Sequence, residues 1–386
     1  MKTKLMCLFL CALMLLTLAS CGGEDAESSV IEDSSEEESV IEIKEPKING
    51  VALSEFAVVY KSTADCATYK KVAKDFVEYV QETFGYKLAC RDETIPKSDK
   101  EILIGYVSKR DICTENTAEF GYGGYKIVIK GTTVLIAGSY ATGCNAGVSA
   151  LKQKFAESET GEFTDTVIEG EKKIIKVACV GDSITQGINS SDPKTQTYPA
   201  YIQEMLGYDY YVMNAGLSGY SICDIDVYAY YKSRQFAESR DMRPDVVLFA
   251  LGTNDANPTP TQPYKNWDDP QYDRTNVFIK STNDLLNAYK RANPDVQIYI
   301  ILPASLFKVG ADGWDAEAWT ANIVKHSHPL LVQIAKDNNL PTIDMFPWSL
   351  EHKEVFTDGL HPKNETYKTF AQYIYDSVKD TIKKPE

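Results

Sequence analysis

Residues 176–187 read KVACVGDSITQG, an apolar run that stops at Gly181-Asp182-Ser183. A short continuous apolar stretch of this kind suits a strand buried on both faces, as in a parallel sheet. Ser183 then has two readings. It is an ordinary helix cap after a strand, or it is a nucleophile held at the strand's carboxyl end. What the rest of the chain places around it decides.

From Ile174 onward, short apolar strands alternate with helical patterns. The strands are IIKVACVG (174–181), YYVMN (210–214), DVVLFALG (245–252), VQIYIILP (296–303) and PTIDM (341–345). Helices are expected near Tyr198–Leu206, Ile225–Glu238, Asn276–Ala292, Asn322–Asn338 and Glu365–Ile382. This alternation predicts an α/β domain over residues 172–386, with a parallel sheet covered on both faces. In such sheets functional groups gather in loops at the carboxyl ends of the strands.

Those ends carry polar motifs: GDS at 181–183, NAGLSGYS at 214–221, GTND at 252–255 and, far downstream, DGLHP at 358–362. Each alone is ambiguous, because serines cap helices, asparagines make turns, and Asp-x-x-His occurs in surface turns. Together they fit one chemistry. A serine hydroxyl needs a base to become a nucleophile, and histidine suits that task near neutral pH. The base needs an acidic partner to fix its tautomer, and Asp358 precedes His361 by three residues. A developing oxyanion needs donors, which strand-end glycine amides and an asparagine side chain supply. Of four histidines, only His361 has this context; His326 and His328 fall on or beside a predicted helix, and His352 in a charged stretch.

GDSIT, NAGLSG, GTND and DGLHP resemble, in order and spacing, the four blocks of the SGNH (GDSL-like) hydrolase superfamily. The resemblance runs from Ile174 to the C-terminus. It implies a three-layer α/β/α fold on a flavodoxin-like parallel sheet, with hydrolysis of an acyl ester and no metal or organic cofactor. It implies Ser183 as nucleophile, Asp358 and His361 as the rest of a triad, and an oxyanion hole from the Ser183 amide, Gly219 and Asn254. Gly219 is preferred to Gly216 because the family places this glycine in "SG" after "NA". The G-x-S-x-G elbow of other hydrolases is absent, since Thr185 stands at its second glycine.

The superfamily spans carbohydrate acetylesterases, lipases, lysophospholipases and thioesterases. Aromatic residues near the motifs favour a sugar ester: Tyr220 follows Gly219, and Trp267, Trp314 and Trp319 fall in loops or helix starts after the third and fourth strands. Rings there can stack on sugars, although aromatic rings also pack cores. The leading expectation is removal of O-acetyl groups from a poly- or oligosaccharide. The alternatives are a lipid esterase or lysophospholipase using the same site, and a glycan-binding surface lipoprotein without turnover.

The N-terminal 21 residues have the pattern of a leader, with Lys2 and Lys4 before an apolar run from Leu5 to Leu18. Leu18-Ala19-Ser20-Cys21 resembles a bacterial lipobox, which implies lipidation at Cys21 and a membrane-anchored protein outside the cytoplasm. Residues 22–46 are expected to be an acidic tether, because 22–45 hold ten acidic residues and one Lys. This stretch supplies −9 of a net charge of −15. The negative balance argues against a nucleic-acid partner.

Residues 47–168 read as a small α+β domain. It has FAVVY (56–60), a helix ending at Gly85, KEILIGY (100–106), a hairpin turning at Lys130-Gly131 and a helix from Asn145 to Phe155. Residues 157–173 read as a polar connector. The module resembles the N-terminal accessory domain of some glycoside hydrolases, of the family-20 domain-2 type. Gly138 and Gly143 have the spacing of a phosphate loop, but Cys144-Asn145 stand where Lys-Ser/Thr should be. Six of nine cysteines lie beyond the lipobox, widely spaced and without a C-x-x-C pair. Disulfides are therefore permitted, a zinc knuckle is disfavoured, and Cys179 reads as a small buried hydrophobe.

Overall fold

Every strand of the C-terminal sheet runs in the same direction. The computed structural model describes residues 44–62, 68–113, 120–259, 262–308 and 315–385. The expected leader, Cys21, most of the acidic tether, Cys66 and Trp314 lie outside the described residues.

The N-terminal module contains β1 (Ala57–Tyr60), α1 (Tyr69–Phe84), β2 (Ala89–Asp92), β3 (Glu101–Ile104), β4 (Gly124–Lys130), β5 (Thr133–Ala137), α2 (Ala141–Glu157) and β6 (Thr166–Glu171). Its sheet runs β2-β1-β3-β5-β4-β6, parallel up to β5 and antiparallel beyond it. Val72, Phe76, Val77 and Val80 of α1 recur at helical spacing and are buried with Leu151 and Phe155 of α2. The stretch read as a connector in fact supplies β6. Its residues are mostly polar because one face meets water, and backbone pairing to β4 holds it in the sheet. Gly143 has a packing role. A Cβ there would stand 2.3 Å from the Gly124 carbonyl oxygen, so only glycine lets α2 approach β4 so closely.

The C-terminal domain comprises β7 (Ile175–Gly181), α3 (Ser183–Gln186), α4 (Tyr198–Leu206), β8 (Tyr210–Gly216), α5 (Arg234–Asp241), β9 (Val246–Ala250), α6 (Arg274–Ala292), β10 (Gln297–Leu302), α7 (Ala316–Asn322), α8 (His328–Asp337), β11 (Thr342–Asp344), α9 (Met345–Glu351) and α10 (Glu365–Val378). The sheet order is β8-β7-β9-β10-β11. Alternate residues face opposite layers. Val177, Cys179, Val246 and Leu248 pack with α4 and α10. Ala178, Val180, Val247 and Phe249 pack with Phe278, Leu285 and Leu286 of α6. This is the three-layer α/β/α arrangement, with β7 at the centre of the crossover.

Two helices differ from expectation. The stretch from Ile225 forms no α-helix until Arg234, with only a short 3-10 turn at Tyr230–Lys232 before it, because the Ile222 and Cys223 amides are drawn to Asp255 and Asp226 is buried on Arg274. The helix expected from Asn322 starts at Ala316 and widens into a π turn over Ile323–Ser327, just before Pro329, which lacks an amide to continue the α pattern.

Three tyrosines join the module to the C-terminal sheet. Tyr122 and Tyr140 stack with centroids 4.5 Å apart, and both meet Tyr211 of β8 at 4.8 Å. Tyr208 Oη donates to the Thr68 carbonyl at 2.7 Å. Among the described residues no helix is long and apolar enough to cross a membrane.

Candidate active site

Ser183 is the first residue of a one-turn helix at the end of β7. Asp182 caps that turn, its Oδ1 accepting the Ile184 amide at 3.1 Å. The turn is tight enough that a Cβ on Gly181 would stand 1.9 Å from Thr185 Oγ1. So short a helix adds little macrodipole, and what it offers an anion is the aim of its first amides.

His361 reaches Ser183 from a loop 178 residues away, with Nε2 2.8 Å from Ser183 Oγ. Its Nδ1 lies 2.8 Å from Asp358 Oδ2. The Asp-Gly-Leu-His loop folds this way because Asp358 Oδ1 accepts the amides of Leu360 at 2.9 Å and His361 at 2.7 Å. Gly359 at φ 87° lets the chain turn back between them. Burial alone would raise the Asp358 carboxyl. The hydrogen bonds from the His361 amide and ring and from the Leu360 amide outweigh it and hold the group down at about 2. Asp358 is therefore a carboxylate throughout the working pH range. It accepts a hydrogen bond from His361 Nδ1–H, which leaves the Nε2 lone pair facing the serine hydroxyl.

The GTND motif forms a single 3-10 turn, Asn254–Ala256, after β9. Its backbone carbonyls are taken in succession by side chains. Thr253 O accepts Trp319 Nε1 at 2.7 Å, and Asn254 O accepts Lys265 Nζ at 3.1 Å. Asp255 O accepts Trp267 Nε1 at 3.2 Å, and Ala256 O accepts Asn322 Nδ2 at 3.0 Å. The Asp255 carboxylate turns the other way and binds the Ile222 and Cys223 amides at 2.9–3.1 Å. Arg274, fully buried, binds Asp226 through both terminal nitrogens at 2.8 and 3.0 Å and lies 3.6 Å from Asp255. The loop after β8 and the turn after β9 are thus one unit. Asn254 Nδ2 closes it by donating to Tyr220 O at 3.0 Å.

The two candidate glycines separate on geometry. A Cβ on Gly216 would stand 2.1 Å from the Gln186 amide nitrogen, so that glycine serves the packing of β8 against α3. Gly219 has φ 80° and open space on its Cβ side, on the loop that Asn254 grips. Tyr220 is half-buried beside it, its ring 5.6 Å from that of Tyr228, which is 53% exposed.

The tryptophans correct the sequence reading. Trp267 and Trp319 are 8% and 3% exposed, and both indole N–H groups are used on the turn. Trp267 also stacks on His326 at 4.7 Å. Neither ring offers a face to a sugar. The other histidines are similarly occupied: His328 Nε2 lies 3.1 Å from Asp344, and His352 Nδ1 donates to Trp348 O at 2.9 Å. Sequence reasoning missed Arg274, Asp226 and Lys265, whose only local signal was charge inside otherwise structured segments.

Two outcomes follow from these buried charges. Replacing Arg274 by Met leaves Asp226 and Asp255 buried without their cation, and we expect a loss of about 3–5 kcal/mol in urea unfolding; a wild-type midpoint would contradict the network's importance. Burial pushes the Asp182 carboxyl up to about 6, against the lowering by the Ile184 amide and His361. Raised from 3.8, it favours the fold fully below that value and loses the contribution as pH rises through about 6. The Tm of wild type relative to Asp182→Asn should therefore fall over that window, and a pH-independent difference would refute it.

Residues 179–369 match the GDSL-like Lipase/Acylhydrolase family. An acetylxylan esterase of Xylanibacter ruminicola is 27% identical over 237 residues, a match covering 57% of this chain and 46% of that protein. The chain thus matches about half the length of that curated relative. Among solved structures, an acetyl xylan esterase, AlAXEase, is 22% identical with TM-score 0.40, covering 53% of this chain and 100% of that one. A carbohydrate acetylesterase family member from Sinorhizobium meliloti is 21% identical with TM-score 0.38, covering 54% and 98%. The C-terminal domain of this chain belongs to the GDSL-like lipase/acylhydrolase (SGNH) family.

Proposed function

We propose that the protein is a serine esterase that removes O-acetyl groups from a poly- or oligosaccharide through an acyl-enzyme on Ser183. The observation that carries this is the unbroken chain from Ser183 Oγ through His361 to Asp358, with both contacts at 2.8 Å. Ser183 Oγ attacks the acetyl carbonyl carbon while His361 Nε2 takes the hydroxyl proton. The oxyanion is held by the amides of Ser183 and Gly219 and by the second Nδ2 proton of Asn254, whose first is bound to Tyr220 O. His361 then passes its proton to the departing sugar oxygen. Water, deprotonated by the same nitrogen, attacks the acyl-enzyme, acetate leaves, and Ser183 regains its proton.

The acetylxylan esterase relative supports a sugar substrate, as do Tyr220 and Tyr228, which offer an aromatic surface beside Gly219. The expected lipobox at Cys21 supports a membrane-anchored location outside the cytoplasm. One observation favours a second reading, a lipid or longer-chain esterase. Ile225, Val227 and Tyr228 are 39%, 69% and 53% exposed on the loop beside Tyr220, and an acyl chain could lie on them.

The test is acetate release from acetylated xylan, mannan, pectin and amino sugars, beside a p-nitrophenyl ester series from acetate to octanoate. We expect release from a polysaccharide and a rate that falls with chain length. Ser183→Ala should abolish turnover, by at least ~10⁴-fold. A rate rising towards octanoate would favour the lipid reading. No turnover of any ester would leave only a glycan-binding role.

A further inference from the structure

The DGLHP loop is tied to the nucleophile's own segment by contacts that the four motif blocks do not include. The chain leaving α3 folds back on Ser183, whose carbonyl accepts the amides of Gly187 at 3.0 Å and Ile188 at 3.1 Å. The next residue, Asn189, adopts the left-handed conformation at φ 69°, which asparagine tolerates better than most side chains. That conformation sends its side chain to the acid. Asn189 Nδ2 donates to Asp358 Oδ2 at 2.8 Å. Two further bonds hold the segment in register: Tyr367 Oη donates to Ile188 O at 2.9 Å, and Asn364 Oδ1 accepts the Ser191 amide at 2.8 Å.

We propose that Asn189 is a positioning residue that fixes the Asp358 carboxylate, and through it the His361 ring, relative to Ser183. A carboxylate has about four acceptor sites. In Asp358 all are filled: Oδ1 by the Leu360 and His361 amides, Oδ2 by His361 Nδ1 and Asn189 Nδ2. Three of those donors come from the DGLHP loop itself, so they move with it. Asn189 alone among them belongs to the serine's segment, six residues after the nucleophile. The Asp358 side chain is 35% exposed, so without this bond water competes for Oδ2 and the carboxylate can turn away from Nδ1. The other titratable groups near the pair, Asp182 beside His361 and the Tyr367 ring near Asp358, do not supply that donor.

The inference rests on the esterase reading for its kinetic arm, and a second readout does not depend on turnover. The variant is Asn189→Gly, which keeps the left-handed backbone without strain and removes only the amide; Asn189→Asp keeps the shape but sets a second carboxylate against the first. We expect both to lower kcat for p-nitrophenyl acetate ~10- to 100-fold with little change in KM, at an unfolding midpoint close to wild type. Asn189→Asp should also raise the pH of the acidic limb of kcat/KM, since added negative charge favours imidazolium. In proton NMR the downfield His361 Nδ1 resonance, assigned by its loss in Asp358→Asn, should shift or broaden in Asn189→Gly. An unmoved resonance overturns the proposal whether or not the protein turns over esters, and so does wild-type kcat in Asn189→Gly. A moved resonance in a protein without ester turnover would support the positioning role and reject the esterase reading.

Discussion

A buried arginine organises this site. Arg274 is fully enclosed, and its charge is balanced by Asp226 on one side and Asp255 on the other. Two carboxylates this deep would be costly without it, and the three groups fix each other's place. Asp255 belongs to the turn after β9, Asp226 to the loop after β8, and Arg274 opens α6. The ion cluster therefore fastens together the two segments that carry Asn254 and Gly219, the residues assigned to the oxyanion. Below the turn, Trp267, Trp319, Lys265 and Asn322 donate to its four successive carbonyls and tie it to the surrounding elements.

The other half of the site is built differently. The loop carrying Asp358 and His361 is shaped by its own backbone, through the Asp358 carboxylate on two following amides. Its alignment with Ser183 depends on contacts with the segment after α3. One side of the site thus rests on buried charge and the other on a chain of neutral and charge-assisted hydrogen bonds. Disturbing the first should unfold the protein before it changes the chemistry, whereas small changes in the second should change the chemistry in a folded protein.

Much of this was legible in the sequence, because the informative residues sit in short blocks at strand ends. The β7 run and GDS, and the Asp-x-x-His spacing, each encode local geometry that a few neighbouring amides enforce. The alternation of apolar strands and helices was readable for the same reason. What could not be read were partnerships across distance. Asp226 and Arg274 are 48 residues apart, and nothing local marks them as a pair. Trp319 finds its carbonyl 66 residues away, so a ring that looked like a sugar platform is a strut. The stretch from Ile225 looked helical by composition, but its neighbours' amides serve Asp255 instead. The strand Thr166–Glu171 was hidden by polar residues that an edge position allows.

The central claim is that Ser183, activated by His361, is the one nucleophile of this protein. Its most direct measurement is mass spectrometry after exposure to an alkyl fluorophosphonate, which phosphonylates an activated serine and arrests before hydrolysis. The account predicts one adduct per chain, on the peptide containing Ser183, and none in His361→Ala. An adduct on another residue, or no adduct in a preparation that hydrolyses esters, would contradict it.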